Sequence, residues 1–151
     1  MSRLVNIEPD LHNFLDISVK IAKEAALSIL PDIDGNVTTD FRRDVKIKAD
    51  TNLNKIIIER LTEKSSYPVL SEEDEFPENK LTYDGYLWIV DPLDGSLNFS
   101  RKIPLCSISI ALWREMKPLF GVVYDFNRDE MFTGLVGEGA WMNGKQINIS
   151  N

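Results

Sequence analysis

From Asp10 to Leu30 the apolar residues fall at Leu11, Phe14, Leu15, Ala22, Ala25, Ala26 and Ile29. That three- and four-residue spacing is one face of a helix, with Asp10 as its N-cap and Pro31 followed by Asp34-Gly35 as its stop. Thr38 to Lys48 is polar and mixed, and reads as a loop or short ribbon. A second helix is expected from about Asp50, with Leu53, Ile56, Ile57 and Leu61 on one side. Asp50 stands where its carboxylate could cap that helix.

After Lys64 the period changes. Tyr67-Pro68-Val69-Leu70 predicts a short strand that runs into the acidic Ser71-Glu72-Glu73-Asp74-Glu75, and Glu78 to Asp84 a surface loop. Tyr86-Leu87-Trp88-Ile89-Val90 is an unbroken apolar run, as expected of a strand buried on both faces. It is predicted to end at Asp91. Further strands are expected over Cys106–Trp113, Pro118–Tyr124 and Met131–Leu135. Arg114–Lys117 and Asp125–Asp129 turn between them, and Gly137-Glu138-Gly139 and Asn143-Gly144 punctuate the tail. Helices first and hairpin-linked strands afterwards make an α+β order, two long helices packed on an antiparallel sheet, with no internal repeat.

Composition narrows the chemistry. The 151 residues suit one domain able to fold on its own core. A net charge of −7 argues against a binder of nucleic-acid polymers. No stretch approaches a membrane span and no signal-peptide pattern opens the chain, so a soluble, cytoplasmic protein is expected. Cys106 is the single cysteine, which rules out an internal disulfide and a cysteine-clustered metal site. His12 is the single histidine and lies in the first helical pattern, as a surface residue. Histidine zinc sites and Ser-His-Asp triads are thereby set aside. Carboxylates, hydroxyls, backbone groups and a metal they bind remain.

The strongest candidate is Trp88-Ile89-Val90-Asp91-Pro92-Leu93-Asp94-Gly95-Ser96. An apolar strand runs into two carboxylates three residues apart, then into Gly and Ser. Pro92 fixes the chain direction, and Gly95 allows a ligand close to the backbone. A helical turn opening at Ser96 would put N–H groups beside the carboxylates as an anion site. Carboxylates and an anion repel unless a divalent cation lies between them, and an all-oxygen donor set suits Mg2+. The same residues also make a good tight turn, which leaves both readings open. Glu72 and Glu73 belong either to a solvated acidic loop or to a strand end holding a carboxylate rigidly toward the site. Asp74, Glu75 and Glu78 are expected in solvent.

Taken together, Lys48-Ala49-Asp50, Leu70-Ser71-Glu72-Glu73 and Trp88-Ile89-Val90-Asp91-Pro92-Leu93-Asp94-Gly95-Ser96-Leu97-Asn98-Phe99 resemble the inositol monophosphatase family. These are Mg2+-dependent, lithium-sensitive phosphatases related to fructose bisphosphatases and bisphosphate nucleotidases. Gly121–Asp125 and Gly137–Gly144 also match, so the likeness runs from about Leu11 to Ser150. It implies the first half of a layered, fructose bisphosphatase-like fold. It implies that Glu72, Asp91 and the Leu93 carbonyl bind one Mg2+, and that Asp91 bridges to a second metal held also by Asp94. Gly95 and Ser96 would bind the substrate phosphate. The Ser96 hydroxyl and Asp50 would orient and deprotonate the attacking water, with Glu73 in support. Substrate would be inositol monophosphate or a related small phosphate. A 3′(2′),5′-bisphosphate nucleotidase is the alternative, with Asn98-Phe99 leaning toward the inositol branch.

The family pattern is met incompletely. Members carry a second domain of similar size, with a Trp-Asp motif that completes the second metal site, and residues 1–151 correspond to the first domain only. An exposed partner surface is expected, with three accounts of it: a piece of a longer enzyme, a short form that forms a homodimer or pairs with a separate chain, or a Mg2+-binding remnant without turnover. The family often has a lysine before the Asp50 position; Arg42, Arg43 or Lys46 could replace it.

Overall fold

The computed structural model describes residues 8–29, 41–74 and 84–149, and within 41–47 the backbone alone. Helix α1 spans Leu11–Leu27 and begins as expected, the Asn13 N–H donating to Asp10 Oδ1 at 3.1 Å. It ends at a Ser28 cap, before the predicted stop at Pro31 and Asp34-Gly35, which lies outside the described residues. Its buried residues are Ser18, Ile21, Ala22, Ala25 and Ala26. The alanines let its axis lie close to its neighbours.

Helix α2 spans Phe41–Lys64, so the expected loop over Thr38–Lys48 is helical from Phe41 onward. Arg, Lys and Ala are good helix formers, and no Gly or Pro interrupts the segment; its charge hid the period. Asp50 is consequently not a cap. It lies ten residues into α2, buried at 7% exposure beside the core residues Ala49 and Leu53.

Seven strands form one sheet in the order β1 to β7: Val69–Ser71, Tyr86–Asp94, Ser107–Arg114, Lys117–Asp125, Glu130–Leu135, Gly139–Met142 and Lys145–Ile147. The short helix α3, Ser96–Ser100, follows β2. Every neighbouring pair is antiparallel except β1 and β2, which run parallel. β2 does not stop at Asp91 as predicted but continues to Asp94. Pro92 has no N–H to give the ladder, and a register shift between Asp91 and Asp94 absorbs it. β6 and β7 were not expected. They are short, and they join through Asn143 and Gly144, both at positive φ (48° and 77°), the geometry of a type I′ hairpin.

Both helices lie on one face of the sheet: α1 packs on α2, β3 and β4, and α2 on β1, β2 and α3. Alternation sends Trp88, Val90, Ile108, Ile110, Leu112, Phe120 and Val122 into the core between them. Trp88 is its centre. Phe14 and Phe120 meet its ring edge-on at 5.6 and 5.8 Å, and its Nε1–H donates to Ser65 Oγ at 2.8 Å. On the opposite face, Ile89, Ala111, Gly121, Gly134 and Ala140 stand in register as one row across five strands. His12 is exposed as predicted and meets Glu138 at 3.1 Å. Among the described residues no helix is long and apolar enough to cross a membrane.

Candidate functional site

The parallel pairing of β1 and β2 is what gathers the acidic residues. Ser71 is in register with Val90, and the Glu72 N–H donates to the Val90 carbonyl at 3.0 Å. The next residue of each chain is therefore Glu72 and Asp91, side by side at the same edge of the sheet. An antiparallel pair would have sent the two acidic ends to opposite edges. The two carboxylates are hydrogen-bonded to each other.

Asp91 is half-buried, and burial is the main reason its carboxyl is pushed from 3.8 up to about 7. The Glu72 hydrogen bond and the charges of Glu72 and Asp94 raise it further, while the Leu93 N–H, donating to Asp91 Oδ1 at 3.2 Å, opposes them. Near neutral pH the Asp91 carboxyl is therefore only partly ionised, where a free carboxylate would be fully ionised. A cation can take the proton's place.

Beyond Asp91 the chain passes the buried Pro92 and Leu93 to the exposed Asp94. Gly95 then caps α3 in the left-handed conformation, φ 79°. Glycine is required there twice over, because a Cβ would also stand 2.5 Å from the Leu105 carbonyl oxygen. Asn98 holds that same carbonyl, its Nδ2 donating to Leu105 O at 2.8 Å. The Asn98 side chain thus braces the turn, and Phe99 is buried against Phe126. Their lean toward one substrate branch has a structural explanation instead. Cys106 packs directly under Gly95, and burial pushes its thiol up, which suits packing rather than nucleophilic chemistry.

Of the expected site residues, Glu72, Asp91, Leu93, Asp94, Gly95 and Ser96 lie along one edge formed by the ends of β1 and β2 and the start of α3. Glu73 is exposed in the turn after β1, with Asp74 beside it. Asp50 is buried on α2, the helix that packs on β1, β2 and α3. One helical turn on, Asn54 accepts a hydrogen bond from the Ser71 hydroxyl at 2.6 Å. Sequence reasoning missed this contact; the four-residue interval from Asp50 to Asn54 was its only signal. The side chains of Arg42, Arg43 and Lys46, and the residues Glu75 and Glu78, lie outside the described set.

An open cavity of about 360 Å3 adjoins the acidic edge, floored by Leu70, Ile89 and Ala111 and rimmed by Glu72, Asp74 and Asp91. A cleft of about 400 Å3 between α1 and α2 holds Glu24 and Arg60, paired at 2.7 Å. Among the described residues no three acidic, histidine or cysteine side chains close around a single point tightly enough to cage an ion. The Glu72–Asp91 pair, with Asp94 at the end of the same strand, offers oxygen donors of the type that hard cations take.

Comparison with known proteins agrees with this geometry. The sequence profile of the inositol monophosphatase family matches residues 10–151. The chain is 35% identical to inositol monophosphatase 3 of Solanum lycopersicum, over 93% of this chain and 54% of that protein. It is 32% identical to fructose-1,6-bisphosphatase of Pyrococcus furiosus, over 88% of this chain and 56% of that one. The crystal structure of inositol monophosphatase II from Staphylococcus aureus superposes with a TM-score of 0.81 at 27% identity, covering 92% of this chain and 52% of that one. The chain spans about half the length of the relatives it matches.

Proposed function

The chain belongs to the inositol monophosphatase family, and on that premise we propose that it carries the metal- and phosphate-binding half of a phosphomonoesterase site. The observation that supports this is the parallel register setting Glu72 against Asp91, with Asp94, Gly95 and Ser96 following on the same edge. Glu72, Asp91 and the Leu93 carbonyl hold one Mg2+; Asp91 and Asp94 face a second. Bound there, Mg2+ supplies acidified water and neutralises the phosphate and leaving oxygen, so that a monoester is cleaved in line. Gly95 leaves room for phosphate against the backbone, and the Ser96 hydroxyl and Asp50 orient the attacking water and take its proton. Glu73 supports that arrangement. The substrate class is inositol monophosphate or a related small sugar phosphate, the two kinds named among the relatives.

A second reading has the chain binding Mg2+ without turnover. It is favoured by the span of about half the relatives' length. Calorimetry with Mg2+ on the chain and on Asp91→Asn, with inositol 1-phosphate hydrolysis followed in the same buffer, separates the readings. Binding lost in the variant together with lithium-sensitive hydrolysis supports the phosphatase. Binding lost in the variant without hydrolysis supports the half-site. Undiminished Mg2+ affinity in Asp91→Asn refutes the metal assignment.

A further inference from the structure

We propose that Asn54 and Ser71 are a positioning pair that sets the acidic edge of the metal site against helix α2. The inference rests on the metal reading above and adds residues that reading does not contain. Ser71 is 2% exposed, yet it is polar and ends the strand immediately before Glu72. Its hydroxyl donates to Asn54 Oδ1 at 2.6 Å and lies 3.4 Å from the Glu73 N–H, which donates to it. Its carbonyl accepts from the Asp74 N–H at 3.1 Å. One buried residue therefore ties the backbone of the whole acidic turn to a helix.

The helix it is tied to matters. Asn54 and Asp50 are four residues apart on α2 and share a face. The Asn54–Ser71 bond consequently couples the position of Asp50, assigned to the water, to that of Glu72, assigned to the metal. The other support of Glu72 is its N–H bond to Val90 across the sheet. Two attachments, one to the sheet and one to the helix, define where the carboxylate stands. Without the helix attachment, the three-residue strand β1 is a sheet edge with freedom to shift along its only neighbour. Hydrogen-bonded supports of metal ligands characteristically change metal affinity about tenfold or more when removed.

The test is calorimetry with Mg2+ alone on the full 151-residue chain, comparing Asn54→Ala, Ser71→Ala, the double variant, Asn54→Asp and Asp91→Asn. Thermal unfolding in metal-free buffer is measured alongside. The expected result is a loss of Mg2+ affinity of about tenfold in each alanine variant, with the double variant no weaker than either single one. Asn54→Asp keeps an acceptor for the Ser71 hydroxyl and should bind at least as tightly as the native chain. Native affinity in the alanine variants, with only the unfolding temperature lowered, would reduce the pair to a strut of the fold and overturn the proposal. So would a loss in Asn54→Asp as large as in Asn54→Ala, which also decides the matter should the alanine variants not fold. The Asp91→Asn arm reports on the metal reading separately: if that variant keeps its Mg2+, the site assignment fails whatever Asn54 does.

Discussion

In metal-free solution Asp91 should destabilise the fold at neutral pH, and Asp91→Asn should be more stable than the native chain. The native carboxyl is raised from 3.8 to about 7, chiefly by burial and then by Glu72 and Asp94. Below about pH 4 both folded and unfolded chains hold the proton, and the group contributes nothing. As pH rises toward 7 the unfolded chain has released it while the folded chain keeps it, so stability falls across that interval and the penalty is complete above it. The rise corresponds to a ceiling of about 4 kcal/mol. Solvent reaches Asp91, and screening brings the expected penalty to about 1–2 kcal/mol. Asparagine retains an Oδ1 acceptor for the Leu93 N–H and can donate to Glu72, so it mimics the protonated acid without the charge. Urea unfolding with EDTA, followed by tryptophan fluorescence at about pH 5.5 and about pH 8, measures the difference between variant and native chain. That difference should favour the variant and grow by roughly half of the penalty between the two pH values. Millimolar Mg2+ should reverse the order at pH 8, because ligand binding to the folded state stabilises only the chain that retains its carboxylate. A difference that is flat with pH, or a variant less stable at pH 8 in EDTA, would refute the account of Asp91.

Two further predictions concern the scaffold. Gly95→Ala sets a Cβ 2.5 Å from the Leu105 carbonyl at φ 79°; the expected cost is about 1–3 kcal/mol in denaturant unfolding together with weakened binding of inorganic phosphate in the presence of Mg2+. Asp10→Ala removes the acceptor for the Asn13 N–H at the start of α1; it should cost about 1 kcal/mol in the same assay and leave Mg2+ affinity unchanged.

The elements with strong periodicity were legible. Leu11 to Ala26 announced α1, and the apolar run from Tyr86 to Val90 announced β2. Phe41 to Lys48 was not legible, because five charged positions conceal a helical period that propensity alone sustains. Asp50 was therefore assigned to a cap when it is a buried residue inside a helix. The spacing of Asp91, Asp94 and Gly95 could be read directly, since those residues are neighbours in the chain. Glu72 could be read as a strand-end carboxylate beside the motif, and its share in one particular metal site only by resemblance to a family. Its partnership with Asp91 depends on strand direction, a property of the sheet that local sequence does not encode. The Asn54–Ser71 bond is harder still, for it joins a polar position on a helix to a small polar residue in a strand, neither unusual by itself.

The row of Ile89, Ala111, Gly121, Gly134 and Ala140 across the outer face of the sheet has a bearing on growth of the molecule by addition. Beyond Ile89, side chains this small leave the backbone nearly bare along one line, so a layer laid over it would approach to contact distance with little side-chain ordering to oppose it. A single large residue at Gly121 or Gly134 would stand up from that line while the helix-covered core beneath stayed as it is. The two faces of one sheet are thus under separate sequence constraints: volume fills the inner, and the want of volume keeps the outer available.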